Sequence, residues 1–588
     1  MNEQSERIDT GNGDGPQWRF LGNEGIQSAA DGLAAELHLP PLLARLLLQR
    51  GYCDPEEARL FLEPRLNGLH DPFALPDVDK AVDRLIRALE NKEKIFVHGD
   101  YDVDGVSSTA LYIRALTALG ANVEGFVPRR SSGYDLRRYG VDLAREKGAN
   151  LILTSDCGSC ALDAIEYART LGLDVIVSDH HRPGPVLPPA VAIVNPYRED
   201  CTVPFRELCG AGVAFKVMEA LVSRVAPHHL SAFRHQFVDL AALGTVADVT
   251  PLKGENRILV AYGLRALAEG KKAGVRELIG YAKLNGKTID AHSISWKISP
   301  ALNAAGRMAD ADLSYRLLMT KDPDEARRLM QEIGVLREQS REEIARITTE
   351  ALEEAYSDEQ ASRRVLVLSR DKWGKGVIGV AANRVVDACR RPVVMLSRDP
   401  KTDMYHGSCR SYGDFNLHDA LHACHDSGLL AEFGGHSQAA GVAVKGENLA
   451  AFRDRMHELA EGHITDEPPP PTLDIDAEIE DGSMLTHNLV EQLYRLGPFG
   501  KGNEEPVLVC RGALVLRSER TKDGAHCRWE LRLPGAYNSM KAMWFNNGDW
   551  VDRVGMGDNV DVAFTPVFNE WNGRTTVELS VKDARLCA

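Results

Sequence analysis

Between residue 81 and about residue 249, short continuous apolar runs alternate with amphipathic stretches. The runs at 95–97, 123–127, 151–154, 175–178 and 191–194 have the length of strands buried on both faces. The stretches at 161–171 and 211–225 carry apolar residues at helical spacing. Strand and helix in alternation predict a parallel sheet with helices on both faces. Such sheets form their sites beyond the carboxyl ends of the strands.

The remaining pattern divides the chain further. Residues 20–80 read as a helical lead-in, with a helical apolar pattern at 42–48 and an N-cap plus first-turn proline in Asp54-Pro55-Glu56-Glu57. The α/β unit is expected over 81–285. A helical connector at 286–360 ends in a charge-laced stretch from Asp322 to about Asp358, read as a solvated helix joining two lobes. A second α/β unit at 361–465 has strands at 365–368 and 392–396. Pro468-Pro469-Pro470-Pro471 reads as a stiff linker. Beyond it, short strands with turns at Lys522-Asp523-Gly524 and Asn572-Gly573-Arg574 predict a small β-barrel of the OB type within 466–588.

Composition narrows the class. A chain of 588 residues is too long for one core. Hydrophobic content of 44% and charged content of 26% are those of a globular protein, and no apolar run is long enough for a bilayer. Residues 1–19 are polar and Gly-rich, without an apolar signal segment, and are expected to be a disordered tail. Eleven scattered cysteines fit a reducing cytoplasm. The net charge of −16 argues against indiscriminate polyanion binding, so any nucleic-acid contact needs a local basic path. Arg511, Arg517, Arg520, Lys522, Arg528, Arg532 and Lys541 offer one in the barrel region. Trp529, Trp544, Trp550 and Trp571 lie among them, as base-stacking platforms or as barrel core.

The chemistry concentrates in His98-Gly99-Asp100-Tyr101-Asp102-Val103-Asp104-Gly105, a strand-to-helix turn. Alternation puts Asp100, Asp102 and Asp104 on one side of an extended segment, where they repel unless water or a cation separates them. Asp156 ends another strand, Asp179-His180-His181 ends the next, and Asp248 follows a helix. Carboxylates and imidazoles without a thiolate select Mg²⁺ or Mn²⁺ over zinc. A bridging carboxylate could hold two ions about 3.5–4 Å apart, the arrangement for in-line displacement at phosphorus. Gly374-Lys375-Gly376-Val377-Ile378-Gly379 fits a dinucleotide fingerprint but lacks the acidic ribose partner, and close backbone approach to a DNA phosphate suits it better. Cys157-Gly158-Ser159-Cys160 has no second pair to complete a zinc site.

His98-x-x-x-Asp102-x-Asp104, Asp156, Asp179-His180-His181 and Asp248 together resemble the four motifs of the DHH phosphoesterase superfamily. Gly434-Gly435-His436-Ser437-Gln438-Ala439-Ala440-Gly441 resembles the signature of the associated DHHA1 domain. The segment from Leu208 through Gly210 and Gly212 to Lys216, Asn303-Ala304-Ala305-Gly306-Arg307, and Gly497-Pro498-Phe499-Gly500-Lys501-Gly502-Asn503 resemble one branch, the RecJ single-stranded-DNA exonucleases. The resemblance implies one metal on His98, Asp102 and Asp156, with Asp100 as an alternative to His98. It implies a second on Asp104, Asp156, His180 and Asp248, either Mn²⁺ or Mg²⁺. His181 would face the scissile phosphate and Asp179 would orient a histidine. Arg130, Ser408 and Arg410 would hold a 5′-phosphate, with Arg307 and His436 among the DNA contacts. Arg129 stands where a small amide is expected, and Tyr134-Asp135-Leu136 departs from a Tyr-Gly-Leu pattern.

The implied activity is 5′→3′ digestion of single-stranded DNA to 5′-mononucleotides, in repair and recombination. The implied partners are single-strand-binding protein and a RecQ-type helicase, and the chain is expected to be a monomer. A chain ending near Thr465 is expected to keep its metal residues intact and to lose affinity for long strands. Two rival readings are a DHH phosphodiesterase of short oligonucleotides or cyclic dinucleotides, and a non-catalytic scaffold. The barrel argues against the first, and the intact set of carboxylates against the second.

Overall fold

The computed structural model describes residues 7–9, 15–22, 25–464, 471–571 and 574–587. The first α/β unit is a fully parallel sheet in the spatial order Asn122–Phe126, Lys94–His98, Leu151–Thr154, Asp174–Ser178, Ala192–Val194. These are the five expected strands. All but Asn122–Phe126, at one edge, are nearly wholly buried, as helices on both faces require. The chain reverses direction of growth between Lys94–His98 and Leu151–Thr154, so a crevice opens at the carboxyl ends of these two strands. Helix Val103–Ala118 leaves that crevice and packs against Gly210–Val225 and Leu230–Ala247.

Helix Pro323–Ala355 joins the lobes as expected, capped by the Asp322 carboxylate accepting from Asp324 N–H at 2.9 Å. It is not merely solvated. Leu329, Met330 and Ile333 belong to the first lobe's core, while Ile344, Ile347 and Ala351 pack with Trp373 in the second. One buried stripe therefore fixes both lobes to a single rod. The second lobe is a mixed sheet in the order Glu432–Gly435, Ala439–Lys445, Met404–Arg410, Val393–Asp399, Leu366–Asp371, parallel only in the last pair.

The C-terminal strands Leu508–Arg520, Cys527–Arg532, Met540–Trp544, Arg574–Leu586 and Asn559–Trp571 form a ring that closes by pairing of the first with the last. This is the expected barrel. Trp529 and Trp544 fill its interior, 1% and 5% exposed, which removes both as base-stacking platforms. Trp550 is half-buried against them, and the side chain of Trp571 lies outside the described residues. Much of the supposed basic path is neutralised. Arg511 pairs with Asp9, Glu478 and Asp561, Arg517 with Glu519, and Arg520 with Asp549 and Asp552.

The N-terminal region departs most from expectation. Arg7–Asp9 and Gln17–Phe20 are strands, not disordered tail, and Gln17–Phe20 runs parallel to Thr472–Ile475. Trp18 is fully buried and donates its indole N–H to Asp583 of the barrel at 2.7 Å. A polar, Gly-rich composition missed this because one tryptophan and one phenylalanine are enough to anchor a strand on an existing barrel wall. The expected helices of the lead-in are present as Pro41–Gln49 and Pro55–Leu62, the second capped by Asp54. They share one core with the barrel: Leu43, Leu46, Leu47 and Phe61 pack in the same cluster as Leu508, Val515, Trp529 and Phe564. Each leucine returned to water would cost about 1.5–3 kcal/mol. The helices up to Leu62 and the barrel are thus one unit built from the two ends of the chain, while Leu66, Leu69, Leu75 and Val78 pack in the first lobe's core. The Pro468–Pro470 part of the linker and the Asn572-Gly573 turn lie outside the described residues. Among the described residues, no helix is long and apolar enough to cross a membrane.

Candidate metal centre and substrate cleft

The crevice at the carboxyl ends of Lys94–His98 and Leu151–Thr154 collects the acidic motifs. Asp102 caps helix Val103–Ala118, accepting from Gly105 N–H at 3.0 Å. Asp104, in the first turn, accepts from Gly210 and Ala211 N–H at 2.6 and 2.8 Å, at the start of helix Gly210–Val225. That helix end brings partial positive charge to a carboxylate 2% exposed. The contact requires glycine: a Cβ on Gly210 would overlap the Asp156 carboxylate, and one on Gly244 would overlap that of Asp104. Asp156 follows its strand with φ +65°, a left-handed conformation that Asp tolerates better than most residues. His180 Nε2 lies 3.1 Å from Asp156 Oδ1, 3.7 Å from Asp104 Oδ2 and 3.8 Å from Asp248 Oδ2.

The charges here are in conflict without a cation. Burial, then Asp102, raises Asp104 to about 6. Burial, then Asp104 and Asp102, raises Asp248 to about 8. Asp100 and Asp156 are pushed well above the carboxylate range by burial and by their acidic neighbours. Burial lowers His180 to about 4, leaving a neutral imidazole. Asp100 Oδ1, Asp156 Oδ1 and His180 Nε2 are buried polar atoms without a hydrogen-bond partner. Three sets of ligand atoms lie within 4.8 Å of one another: Asp156, His180 and His181; Asp104, His180 and Asp248; Asp100, Asp102 and Asp156. Orphaned buried ligand atoms, crowded carboxylates and the neutral His180 imidazole fit a hard divalent cation of the Mg²⁺ or Mn²⁺ kind.

His98 stands apart from those sets. Its Nδ1 faces Cys157 Sγ at 3.8 Å and its ring edge lies against Gly140, in a helix behind the crevice. Asp100, two residues on, is grouped with Asp102 and Asp156 instead. Asp179 is also outside the sets. It accepts from Ser159 N–H at 2.9 Å, His180 N–H at 2.7 Å and His181 Nδ1 at 2.8 Å. Burial pulls His181 down, but the bond and charge of Asp179 outweigh it and raise the imidazole to about 9.

Tyr134 was missed as a site residue. Its Oη lies 2.7 Å from His181 Nδ1 and 3.3 Å from the Asp156 carbonyl oxygen. The hydroxyl donates to that carbonyl and its oxygen shares the Nδ1–H with Asp179. Neighbouring Asp135 has φ +77°, which accounts for glycine in the Tyr-Gly-Leu pattern. Its carboxylate accepts from Gly158 N–H at 2.7 Å, so the departure tightens the loop. Arg129, the other departure, pairs with Asp310 at 2.8 Å. The positive-φ demand was the readable signal for this loop.

A cleft of about 1260 Å³ separates the lobes, lined by Tyr101, Tyr134 and His181 on one side and His406, Phe433 and His436 on the other. His436 feels His181 across it: burial, then His181, lowers its pKa. Arg410 donates to Ser408 Oγ at 2.6 Å on strand Met404–Arg410. Arg130 lies 4.1 Å over the Tyr101 ring, with a buried Nε lacking a partner. Arg307 is lowered to about 10 by burial, then by Arg130. The Gly374–Gly379 loop packs on these arginines. A Cβ on Gly376 would overlap the Arg307 carbonyl, and one on Gly379 would crowd Arg410 and Ser408. Gly376 and Gly379 therefore answer to close packing on the Arg307 backbone and the Arg410 and Ser408 side chains, which accounts for two of the three glycines in a motif that resembled a dinucleotide fingerprint.

Comparison with known proteins agrees with this architecture. Residues 94–245 match the DHH family, N-terminal domain, residues 362–462 the DHHA1 domain, and residues 475–583 the RecJ OB domain. The single-stranded-DNA-specific exonuclease RecJ of Bacillus subtilis is 35% identical over 564 residues, covering 95% of this chain and 70% of that protein. Its Escherichia coli counterpart is 33% identical over 585 residues, covering 95% and 97%. The crystal structure of Thermus thermophilus RecJ in complex with Mn²⁺ superposes with a TM-score of 0.81 at 30% identity, covering 97% of this chain and 79% of that one. The corresponding Mg²⁺ complex gives 0.75 at 29% identity. With three RecJ-type domains in order on one fold and a crevice suited to the same cations, the chain belongs to the RecJ family of metal-dependent DHH exonucleases.

Proposed function

We propose that this chain digests single-stranded DNA from the 5′ end, releasing 5′-mononucleotides, with two divalent cations at the crevice. The observation that carries this is the sharing of residues among the ligand sets: Asp156 joins Asp100 and Asp102 on one side, and through His180 joins Asp104 and Asp248 on the other. In this reading Asp100, Asp102 and Asp156 hold one ion, and Asp104, Asp156, His180 and Asp248 the other. His98 takes a supporting place behind them. Bound there, divalent cations supply Lewis-acid stabilisation for charge building on phosphorus and on the leaving 3′ oxygen.

The side chains do the positioning. Asp179 and Tyr134 occupy His181 Nδ1, leaving Nε2 as the nitrogen that donates to the scissile phosphate. Arg130, Arg307, Ser408 and Arg410 form the cationic wall that receives a terminal 5′-phosphate, with guanidinium forks suited to its oxygens. His436 borders the strand from the second lobe. Repair and recombination are the processes in which such an activity serves, with single-strand-binding protein and a helicase as partners.

The test compares single-stranded, duplex and dinucleotide substrates labelled at either end, in Mg²⁺ or Mn²⁺. The expected first product from a 5′-labelled single strand is labelled mononucleotide, with blunt duplex resistant. Early release of a 3′ label, or equal digestion of duplex, would overturn the reading.

A further inference from the structure

Trp296 is 68% exposed, whereas Trp18, Trp373, Trp529 and Trp544 are buried. It sits on a π-helical turn, Ile294–Ile298, just ahead of helix Ser299–Met308 that carries Arg307. Single π turns re-aim side chains and collect at functional sites. The His292 ring lies 5.9 Å away and tilted by 32°, so the indole is backed by a second flat ring. The pair forms one wall of a cavity of about 380 Å³, whose other walls include Val249, Phe499, Lys501 and Lys582.

That cavity borders the metal centre through Val249. Val249 follows Asp248 directly, is 57% exposed, and holds φ +57°, a strained conformation for a β-branched residue. The strain turns an apolar side chain outward beside a candidate ligand. At the far side Lys582 belongs to the barrel strand Arg574–Leu586. Of the two acidic residues lining the cavity, Glu505 is 3.6 Å from Lys582 and Glu504 accepts from Gly502 N–H at 2.8 Å. An exposed indole, an apolar floor and Lys501, with Lys582 held by Glu505, suit a flat, unpaired, phosphate-linked ring.

We propose that Trp296 is a stacking platform for a nucleobase of the strand as it passes from the barrel toward the metal centre. The inference rests on the single-stranded-DNA reading above. Stacking uses the π face of any base, so the platform grips without sequence preference. A duplex keeps its bases paired and stacked inside, and cannot offer one to Trp296.

The test measures KM for a long 5′-phosphorylated strand and for a set of the same strand with one abasic position moved along it. In the wild type one abasic position should raise KM by about 5- to 150-fold, the value of one lost base–aromatic stack. Trp296→Ala should raise KM on the intact strand by a similar factor and should show no further penalty at that position. Trp296→Phe, which keeps a π face, should recover much of the loss and guards against a folding defect. Wild-type KM in Trp296→Ala, or an abasic penalty undiminished by the substitution, would overturn the proposal. A wild-type chain that hydrolyses no single strand would overturn the reading beneath it instead.

Discussion

The Asp179 carboxylate and the His181 imidazole face each other at 2.8 Å, Oδ1 to Nδ1, although Asp179 is 1% exposed and belongs to none of the candidate ligand sets. Its negative charge is supported by three further donors, the N–H groups of Ser159, His180 and His181. Asp179 therefore acts through its neighbour. Asp179→Asn should lower kcat by about 10- to 100-fold, as loss of an orienting partner does, with KM for DNA nearly constant. Steady-state kinetics on a single strand checks this, and a change confined to KM would contradict it.

Asp156, like His180, belongs to two of the three ligand sets, and it is the carboxylate they share. Its φ of +65° makes Asp156→Asn the fairer substitution, because Asn tolerates this conformation and Ala does not. Hydrolysis should be abolished in Mn²⁺ as well as Mg²⁺, with DNA still bound. Mn²⁺ should stabilise the wild type by about 2.7 kcal/mol at a hundredfold excess over its dissociation constant, read as a higher unfolding temperature. The variant should lose most of that shift. Activity above a few per cent of wild type would remove Asp156 from the bridging role.

Arg410 and Ser408 are linked at 2.6 Å, and Gly379 leaves them room. If they hold the terminal phosphate, the wild type should favour a 5′-phosphate over a 5′-hydroxyl by about 1.5–3 kcal/mol. Arg410→Ala should erase most of that preference. Gly379→Ala should weaken it too, by displacing both side chains without touching their chemistry. Initial rates on the paired substrates decide it, and equal wild-type rates would rule the pocket out.

Arg257 joins the first lobe to the unit made by the chain's two ends. Its guanidinium donates to the carbonyls of Phe61 at 2.9 Å, Leu496 at 2.7 Å and Arg495 at 3.1 Å, and lies 3.6 Å over the Phe61 ring. Arg257→Met leaves buried acceptors unpaired, at about 1–3 kcal/mol each, and Arg257→Lys cannot restore a planar fork. Thermal unfolding should show the lead-in and barrel melting earlier, with the Mn²⁺-dependent shift retained. By the same geometry, a chain ending near Thr465 should aggregate rather than simply lose long-strand affinity, because Leu43, Leu46, Leu47 and Phe61 would lose their partners. Light scattering of the truncated chain checks this, and a monodisperse, active fragment would contradict it.

The sequence alone determined the catalytic sheet and the residues at its edge. The strands Leu151–Thr154 and Asp174–Ser178 are apolar runs that end in Asp156 and in Asp179-His180-His181, because a parallel strand buried on both faces must be apolar until it emerges. Cap chemistry is local, and so Asp54 could be read as a helix start, whereas the extended reading of Asp100, Asp102 and Asp104 fails because Asp102 caps helix Val103–Ala118 and puts Asp104 in its first turn. Only the tertiary structure showed that His98 and Asp100, two residues apart at one strand end, meet different neighbours, Cys157 for the first and Asp102 and Asp156 for the second. It alone separated Trp529 and Trp544, which fill the barrel, from Trp296, which faces open space on a turn with no sequence mark. It alone paired Gln17–Phe20 with Thr472–Ile475 and put Phe61 under Arg257. Those contacts join residues hundreds of positions apart, and burial between distant segments leaves no periodicity in either one.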